Sequence, residues 1–275
     1  LYIESDGVIT EVFGSLYGCF NKALSNWVER KKLTTADGIV VMAATAVPFI
    51  ASKFGQLQEK FVLKQLGVDE SVFMTCPETV ASLRQDVGCE GAFVVGFMAG
   101  VLQKYHGIEI LVEAAMKIQN TSPNIRFIVI ATGELFDEAK RKAELANCCN
   151  IQFVSMVPKD VIANYLTLFD LGVIPDCVEH MFPIKTLEYG LFGICPLVVN
   201  HPCNTNLFDF QGCERLLFRP GDVEDLVRKI QALADDREAC AKFGEKWKEQ
   251  VLSHFTWPRT VVPVLDAMSS AVSTR

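Results

Sequence analysis

Residues 93–131, FVVGFMAGVLQKYHGIEILVEAAMKIQNTSPNIRFIVIA, decide the architecture of this chain. Phe93–Met98 is an apolar run of strand length, and Arg126–Ala131 is a second, half of it β-branched. Between them Ile108, Leu111, Val112, Ala115 and Ile118 recur at helical spacing and give one apolar stripe. A strand, a helix and a second strand of this length form a βαβ unit, whose crossover sets the two strands parallel.

Outward from this unit the alternation continues. Helices are predicted near Leu135–Ala146, Lys159–Phe169 and Pro183–Phe192, and strands at Ile151–Val157, Leu171–Ile174, Pro196–Val199 and Leu216–Phe218. Val223, Leu226, Val227, Ile230 and Leu233 form a further apolar stripe. Asp222 is its natural N-cap, and Glu224 and Asp225 place two carboxylates where the helix dipole favours them. Six strands separated by helices predict an α/β fold, a doubly wound, Rossmann-like domain. Ligands in such sheets bind beyond the carboxyl ends of the strands. The functional loops are therefore expected after Met98, Ala131, Val157, Ile174 and Asn200.

The first ninety residues follow a sparser pattern. Leu1–Ile3, Gly38–Met42 and Lys60–Leu66 read as strands, Phe13–Lys31 as a long amphipathic helix and Val47–Gln58 as another helix. Too few strands are present for a second complete doubly wound domain. The expected division is a partial N-terminal domain over 1–90, a ligand-binding domain over 91–258, and a helix over 259–275 packing back on the first domain. Gly88-Cys89-Glu90-Gly91 marks the boundary, and Thr256-Trp257-Pro258 breaks the last helical stretch, with Trp257 as a packing anchor. The opening at Leu1, in mid-pattern, leads us to expect an N-terminally incomplete chain.

Half of the 275 residues are apolar and 21% are charged, the profile of a globular protein with a sizeable core. A net charge of −7 and a pI near 5.2 argue against nucleic acid and against simple docking on anionic lipid. The ten cysteines include no Cys-x-x-Cys pair, which points to reduced, mostly buried thiols and a cytoplasmic protein. The longest apolar stretch, Gly38–Ala51, is interrupted by Pro48 and is too short to span a bilayer.

The chemistry concentrates in Phe182-Pro183-Ile184-Lys185-Thr186-Leu187-Glu188-Tyr189-Gly190-Leu191-Phe192-Gly193. Pro183 falls in the first helical turn, where a missing N–H costs nothing. The free amides of Ile184 and Lys185 then make an anion site at the helix start. Lys185 and Glu188, three residues apart, share a face, so a diphosphate and a ribose could be held side by side. An ordinary solvated Lys–Glu pair would have the same spacing; the surrounding motifs decide between the two.

In their order these motifs resemble the retaining GT-B glycosyltransferases of family four, also called glycosyltransferase group 1. Phe182-Pro183 through Glu188 is followed by Gly193-Ile194-Cys195-Pro196-Leu197-Val198-Val199, similar to the family's small-residue turn. Val94-Val95-Gly96 and His106-Gly107 through Ala115 resemble its first strand, phosphate loop and helix. Arg126–Glu134, Asn150–Val157 with Asp160–Tyr165, Phe218-Arg219-Pro220-Gly221-Asp222 and His254-Phe255-Thr256-Trp257 resemble later signatures. Ala36–Val41 and Leu66–Phe73 resemble the end of the acceptor-side domain.

The resemblance implies a donor site for a UDP- or GDP-sugar. Glu188 would hold the ribose, Ile184 and Lys185 behind Pro183 the diphosphate, the Val157 backbone the base, and Gly133 would line the same crevice. It implies no metal and no cofactor, the nucleoside-diphosphate sugar being a substrate. The acceptor would be a sugar, lipid or small molecule, with peripheral membrane contact through the missing N-terminal half. The departures are specific. His180 stands eight residues before Glu188, where the family has its first Glu, and is either a donor-side residue or a surface histidine. Phe97 and His106 occupy the places of the phosphate loop's Arg and Lys, with Lys104 nearby. His106 either hydrogen-bonds phosphate or caps the following helix. His201 and His254 read as structural. No catalytic residue is assigned, because the family's acceptor-side Gly-rich loop and catalytic His have no counterpart here, and this segment alone is expected to be inactive. Three functions follow: a hexosyl transfer enzyme, a non-catalytic sugar-nucleotide-binding or partner subunit, and a sugar-nucleotide epimerase.

Overall fold

The computed structural model describes residues 1–5, 21–55, 57–69, 71, 74–155, 157–205 and 207–273. In chain order the main elements are β1 (Tyr2–Glu4), α1 (Lys22–Thr35), β2 (Gly38–Val41), α2 (Ala46–Phe54), β3 (Phe61–Leu63), α3 (Pro77–Asp86), β4 (Phe93–Val101), α4 (Ile108–Ile118), β5 (Ile125–Thr132) and α5 (Glu134–Leu145). They continue as β6 (Ile151–Val154), α6 (Lys159–Leu166), β7 (Leu171–Ile174), α7 (Ile184–Leu191), β8 (Cys195–Val199), α8 (Pro202–Thr205), β9 (Leu217–Phe218), α9 (Val223–Asp235), α10 (Arg237–His254), α11 (Trp257–Thr260) and α12 (Val262–Ser273). They form two compact units: Leu1–Gly67 with Val178–Phe182 and His254–Arg275, and Val68–Cys177 with Pro183–Ser253.

The smaller unit holds a parallel sheet in the order β1-β2-β3. Ile39 and Val41 of β2 are buried with Ile3, Leu33, Ile50 and Phe54 in one apolar core. Tyr2 pairs in register with Gly38 and lays its ring over it; a Cβ at Gly38 would lie 2.3 Å from the ring. The Asn21 side chain caps α1 by accepting from the amide of Leu24 at 3.0 Å. The predicted helix start at Phe13 lies outside the described residues, and α1 runs four residues past Lys31, to Thr35. At the other end of the chain, Pro258 sits in the first turn of α11, so the helical stretch breaks at Thr256. The Tyr2 hydroxyl donates to the Ala267 carbonyl at 2.8 Å, and Gly67 fits against the Trp257 backbone, where a Cβ would approach to 2.8 Å. These contacts tie both chain termini into this unit.

The larger unit carries six strands, all parallel, in the order β6-β5-β4-β7-β8-β9. The order reverses between β4 and β7, and this is the switch point where a doubly wound sheet leaves a crevice. The stripe residues Ile108, Leu111, Val112, Ala115 and Ile118 of α4 are all buried. Asp222 caps α9 by accepting from the amide of Asp225 at 2.8 Å. β6 stops at Val154, three residues short of the predicted Val157.

Two expectations are corrected. α3 was not foreseen, because none of its residues is buried and it has no apolar stripe to read. It is held by polar contacts instead: the Cys76 amide donates to Asn164 Oδ1 at 2.7 Å and Arg84 Nη2 to the Thr167 carbonyl at 3.4 Å. Those contacts bind α3 to the larger unit, so the division falls at Gly67/Val68 and not at 88–91. The loop 178–182 and residues 254–258, assigned from sequence to the ligand-binding domain, also belong to the smaller unit.

Candidate functional site

At the switch point a glycine pair makes room for the helix that carries the chemistry. Gly96 of β4 and Gly172 of β7 are register partners. The Phe169 ring covers Gly96 and the Tyr189 ring covers Gly172; added Cβ atoms would lie 2.0 Å and 2.4 Å from these rings. The two rings meet edge to face with centroids 6.5 Å apart. Tyr189 is fully buried and anchors α7 close over β7. Behind α7, the Trp247 indole donates to the Thr186 carbonyl at 2.7 Å, and both residues are fully buried.

Above the strand ends lies a cavity of about 730 Å³, within the range of about 300–1,000 Å³ typical of small-molecule sites. Met98, Ala99 and Gly100 from the end of β4, Ile130, Ala131 and Thr132 from β5, Val157, Pro158 and Ile162, and Ile184, Lys185 and Glu188 from α7 line it. The wall is mostly apolar, with Lys185 and Glu188 as its charged side chains. Pro183 is the N-cap residue, one position before the helix and not inside it. The Thr186 amide already donates to the Pro183 carbonyl at 3.0 Å, whereas the amides of Ile184 and Lys185 come before the helix's own hydrogen bonds and can meet an anion.

His106 joins this wall through Lys185, whose Nζ stands 3.2 Å from its Nε2. The turn holding it is closed locally: the Gln103 amide donates to His106 Nδ1 at 3.0 Å. Gly107 follows with φ +63, and a Cβ there would lie 2.6 Å from Asp176, so the loop after β4 sits directly on the loop after β7. Asp176 also meets His201 at 2.8 Å, which ties in the loop after β8. Burial and then the Lys185 charge push the His106 imidazole down to about 3. Burial pulls the Lys185 ammonium down against the opposing pull of Glu188, and burial pushes the Glu188 carboxyl up against Lys185.

The structure thus brings together Ile184, Lys185, Glu188, Val157 and His106. Gly133, at φ +102, opens α5 next to the lining residue Thr132 without lining the cavity itself. Two candidates fall elsewhere. Lys104 is exposed on the turn before His106 and is not among the cavity's lining residues. His180 lies in the smaller unit, stacked on Phe49 with ring centroids 3.9 Å apart, so it is neither a cavity residue nor a solvated surface histidine. Its Nε2 is buried and finds no hydrogen-bond partner among the described residues. Phe97, in the place of the family's Arg, is buried in β4 with its ring 6.0 Å from that of His106. Missed from sequence were Met98, Ile130, Pro158 and Ile162, apolar residues indistinguishable from core until the sheet is assembled. Among the described residues no group of three or more His, Cys, Asp or Glu could hold a metal ion, and no helix is long and apolar enough to cross a membrane.

Comparison with known proteins places this geometry in context. The D-inositol 3-phosphate glycosyltransferase of Pseudarthrobacter chlorophenolicus is 24% identical over 250 residues, covering 89% of this chain and 58% of that relative's length. Among solved structures, HepE of Anabaena in complex with UDP and glucose superposes with a TM-score of 0.81 at 18% identity, covering 98% of this chain and 71% of that one. Sucrose-phosphate synthase of Thermosynechococcus elongatus gives 0.79 at 16% identity, with 100% and 68% covered. At such identities the likeness is one of fold, which is GT-B. The family model for glycosyl transferases group 1 matches residues 83–250, well over half of the chain, and the chain belongs to that family.

Proposed function

We propose that this chain carries the donor-binding half of an enzyme that moves a hexose from a nucleoside diphosphate to an acceptor hydroxyl, with retention. The observation that carries the reading is the cavity over the switch point, with Lys185 and Glu188 one helical turn apart on its wall. Glu188 accepts hydrogen bonds from the two ribose hydroxyls, and the base lies against Val157, Pro158 and Ile162. The amides of Ile184 and Lys185, the Lys185 side chain and His106 meet the diphosphate, stabilising the charge that grows as it leaves. Protein groups supply this stabilisation in place of a metal ion. Structures of HepE hold UDP with glucose, and UDP-glucose, which supports a uridine nucleotide as the first donor to try. The acceptor is a hydroxyl of a sugar, lipid or small molecule.

Titration of the full-length protein with UDP and GDP, and turnover of their sugars, tests this. A carboxylate hydrogen-bonded to hydroxyls contributes about 1.5–3 kcal/mol, so Glu188→Ala should weaken nucleotide binding by about 10- to 150-fold. Unchanged affinity would remove Glu188 from the site. One observation favours a second reading, a binding subunit without turnover: His180, in place of the family's first Glu, is stacked on Phe49. Tight binding with no transfer or hydrolysis would select it.

A further inference from the structure

We infer that Lys185 stands as an uncharged amine in the empty cavity, held by the Nε2–H of His106, and that seating a diphosphate draws one proton onto it. The inference rests on reading the cavity as a diphosphate site, but its geometric basis does not. The Gln103 amide donates to His106 Nδ1 at 3.0 Å, and a ring nitrogen that accepts carries no proton. The imidazole is therefore neutral, with its hydrogen on Nε2. That nitrogen lies 3.2 Å from Lys185 Nζ. An ammonium has three donors and no acceptor, so an N–H aimed at it from this distance would face another donor. An amine lone pair accepts the bond.

The groups that act on the amine come from each element around it. They are His106 from the turn after β4, Glu188 one turn along α7, and Cys177 beyond the end of β7. The Cys177 thiol is pushed far up by its hydrogen bond with the free Cys203 thiol and by burial, so it adds no charge near neutral pH. Burial moves Lys185 and Glu188 toward their neutral forms together. A diphosphate reverses this balance. Its oxygens only accept, so they take the Nε2–H of His106 and call for an ammonium beside it. One N–H bond forms at Nζ, the proton comes from solvent, and nothing is oxidised or reduced. Donor affinity should then fall about tenfold per pH unit between the Lys185 pKa of the empty cavity and that of the complex.

Calorimetric titration of the full-length protein with UDP and GDP at pH 8, in buffers of different ionisation heat, reads this directly. A terminal phosphate with a second pKa of about 6 is already ionised there, so any proton taken up is the protein's. Uptake of roughly one proton is expected for the wild type and none for Lys185→Arg, whose guanidinium is always charged. Nucleotide binding without uptake, or uptake that survives Lys185→Arg, overturns the inference while leaving the donor site standing. Absence of any nucleotide binding overturns the donor-site reading instead. The inference is then decided on the unliganded protein by nitrogen-15 NMR of the His106 ring. Protonated Nε2 and bare Nδ1 support it, and a protonated Nδ1 overturns it.

Discussion

The indole N–H of Trp247 donates a 2.7 Å hydrogen bond to the carbonyl oxygen of Thr186, one residue beyond Lys185. It joins α10, at the back of the larger unit, to the first turn of the helix that presents Lys185 and Glu188 to the cavity. The position of these two residues is thus set by a core contact on the face of α7 away from the ligand.

Trp247→Phe should therefore loosen the site without touching it. Losing a buried donor costs about 1–3 kcal/mol, and the smaller ring leaves a void beside α7. A lower melting temperature and weaker nucleotide binding are expected together. Thermal denaturation and calorimetry on the same preparation check this; a loss of affinity at unchanged stability would mean that Trp247 acts some other way.

The glycines of the larger unit divide sharply. At Gly172 a Cβ would sit 2.4 Å from the Tyr189 ring, which is fully buried and has little room to yield. Gly172→Ala should cost about 1–3 kcal/mol as overpacking and displace α7. At Gly100 nothing lies within 4 Å of the added atom, so Gly100→Ala should stay within about 0.5 kcal/mol of wild type. Chemical denaturation of the pair measures the contrast.

Asp225 makes the fold sensitive to acid. Burial raises its pKa, but the Arg219 amide at 2.8 Å, the bond from Arg228 and both guanidinium charges outweigh it, and the carboxyl is held below 3.8. A depressed carboxylate stabilises the fold above its unfolded pKa and loses that contribution as pH falls through the folded value. Asp225→Asn should be less stable than wild type at pH 7, by about 1–2 kcal/mol, with the gap closing below pH 4. A gap that does not narrow as pH falls through the acid range would show the contribution to be packing and not charge.

His106 works in a higher window. Its imidazole is pushed from 6.5 to about 3, so between those values the unfolded chain binds a proton that the folded chain does not. Stability should accordingly decline as pH falls from about 6.5 toward 3. In His106→Gln that part of the decline should disappear, leaving the Asp225 contribution at lower pH. Melting temperatures of the two variants across pH 3–8 separate the two groups.

The sheet was legible because strand and helix periods are local properties of the chain. Phe93–Met98, the α4 stripe and Leu171–Ile174 each read correctly from spacing alone, and the run of alternating strands and helices admitted little but a parallel sheet. A helix beginning near Pro183 and the Lys185–Glu188 face were also visible, since a proline and a three-residue interval are local too, but the sequence put Pro183 inside the helix that in fact opens one residue later. α3 was not legible: its attachment is by Asn164 and Thr167, remote in sequence, and it buries no apolar stripe.

Sequence alone determined the doubly wound architecture, the ends of the strands where a ligand would lie, and the helix that faces it. Tertiary structure alone decided which polar groups share that space. It set His106 against Lys185 across 79 positions of chain, left Lys104 outside, and stacked His180 on Phe49 in the other unit. The reason is that periodicity reports which face of an element is buried. The partner of a particular side chain depends on strand order and on how closely backbones approach, and here that approach hangs on two glycines beneath two rings.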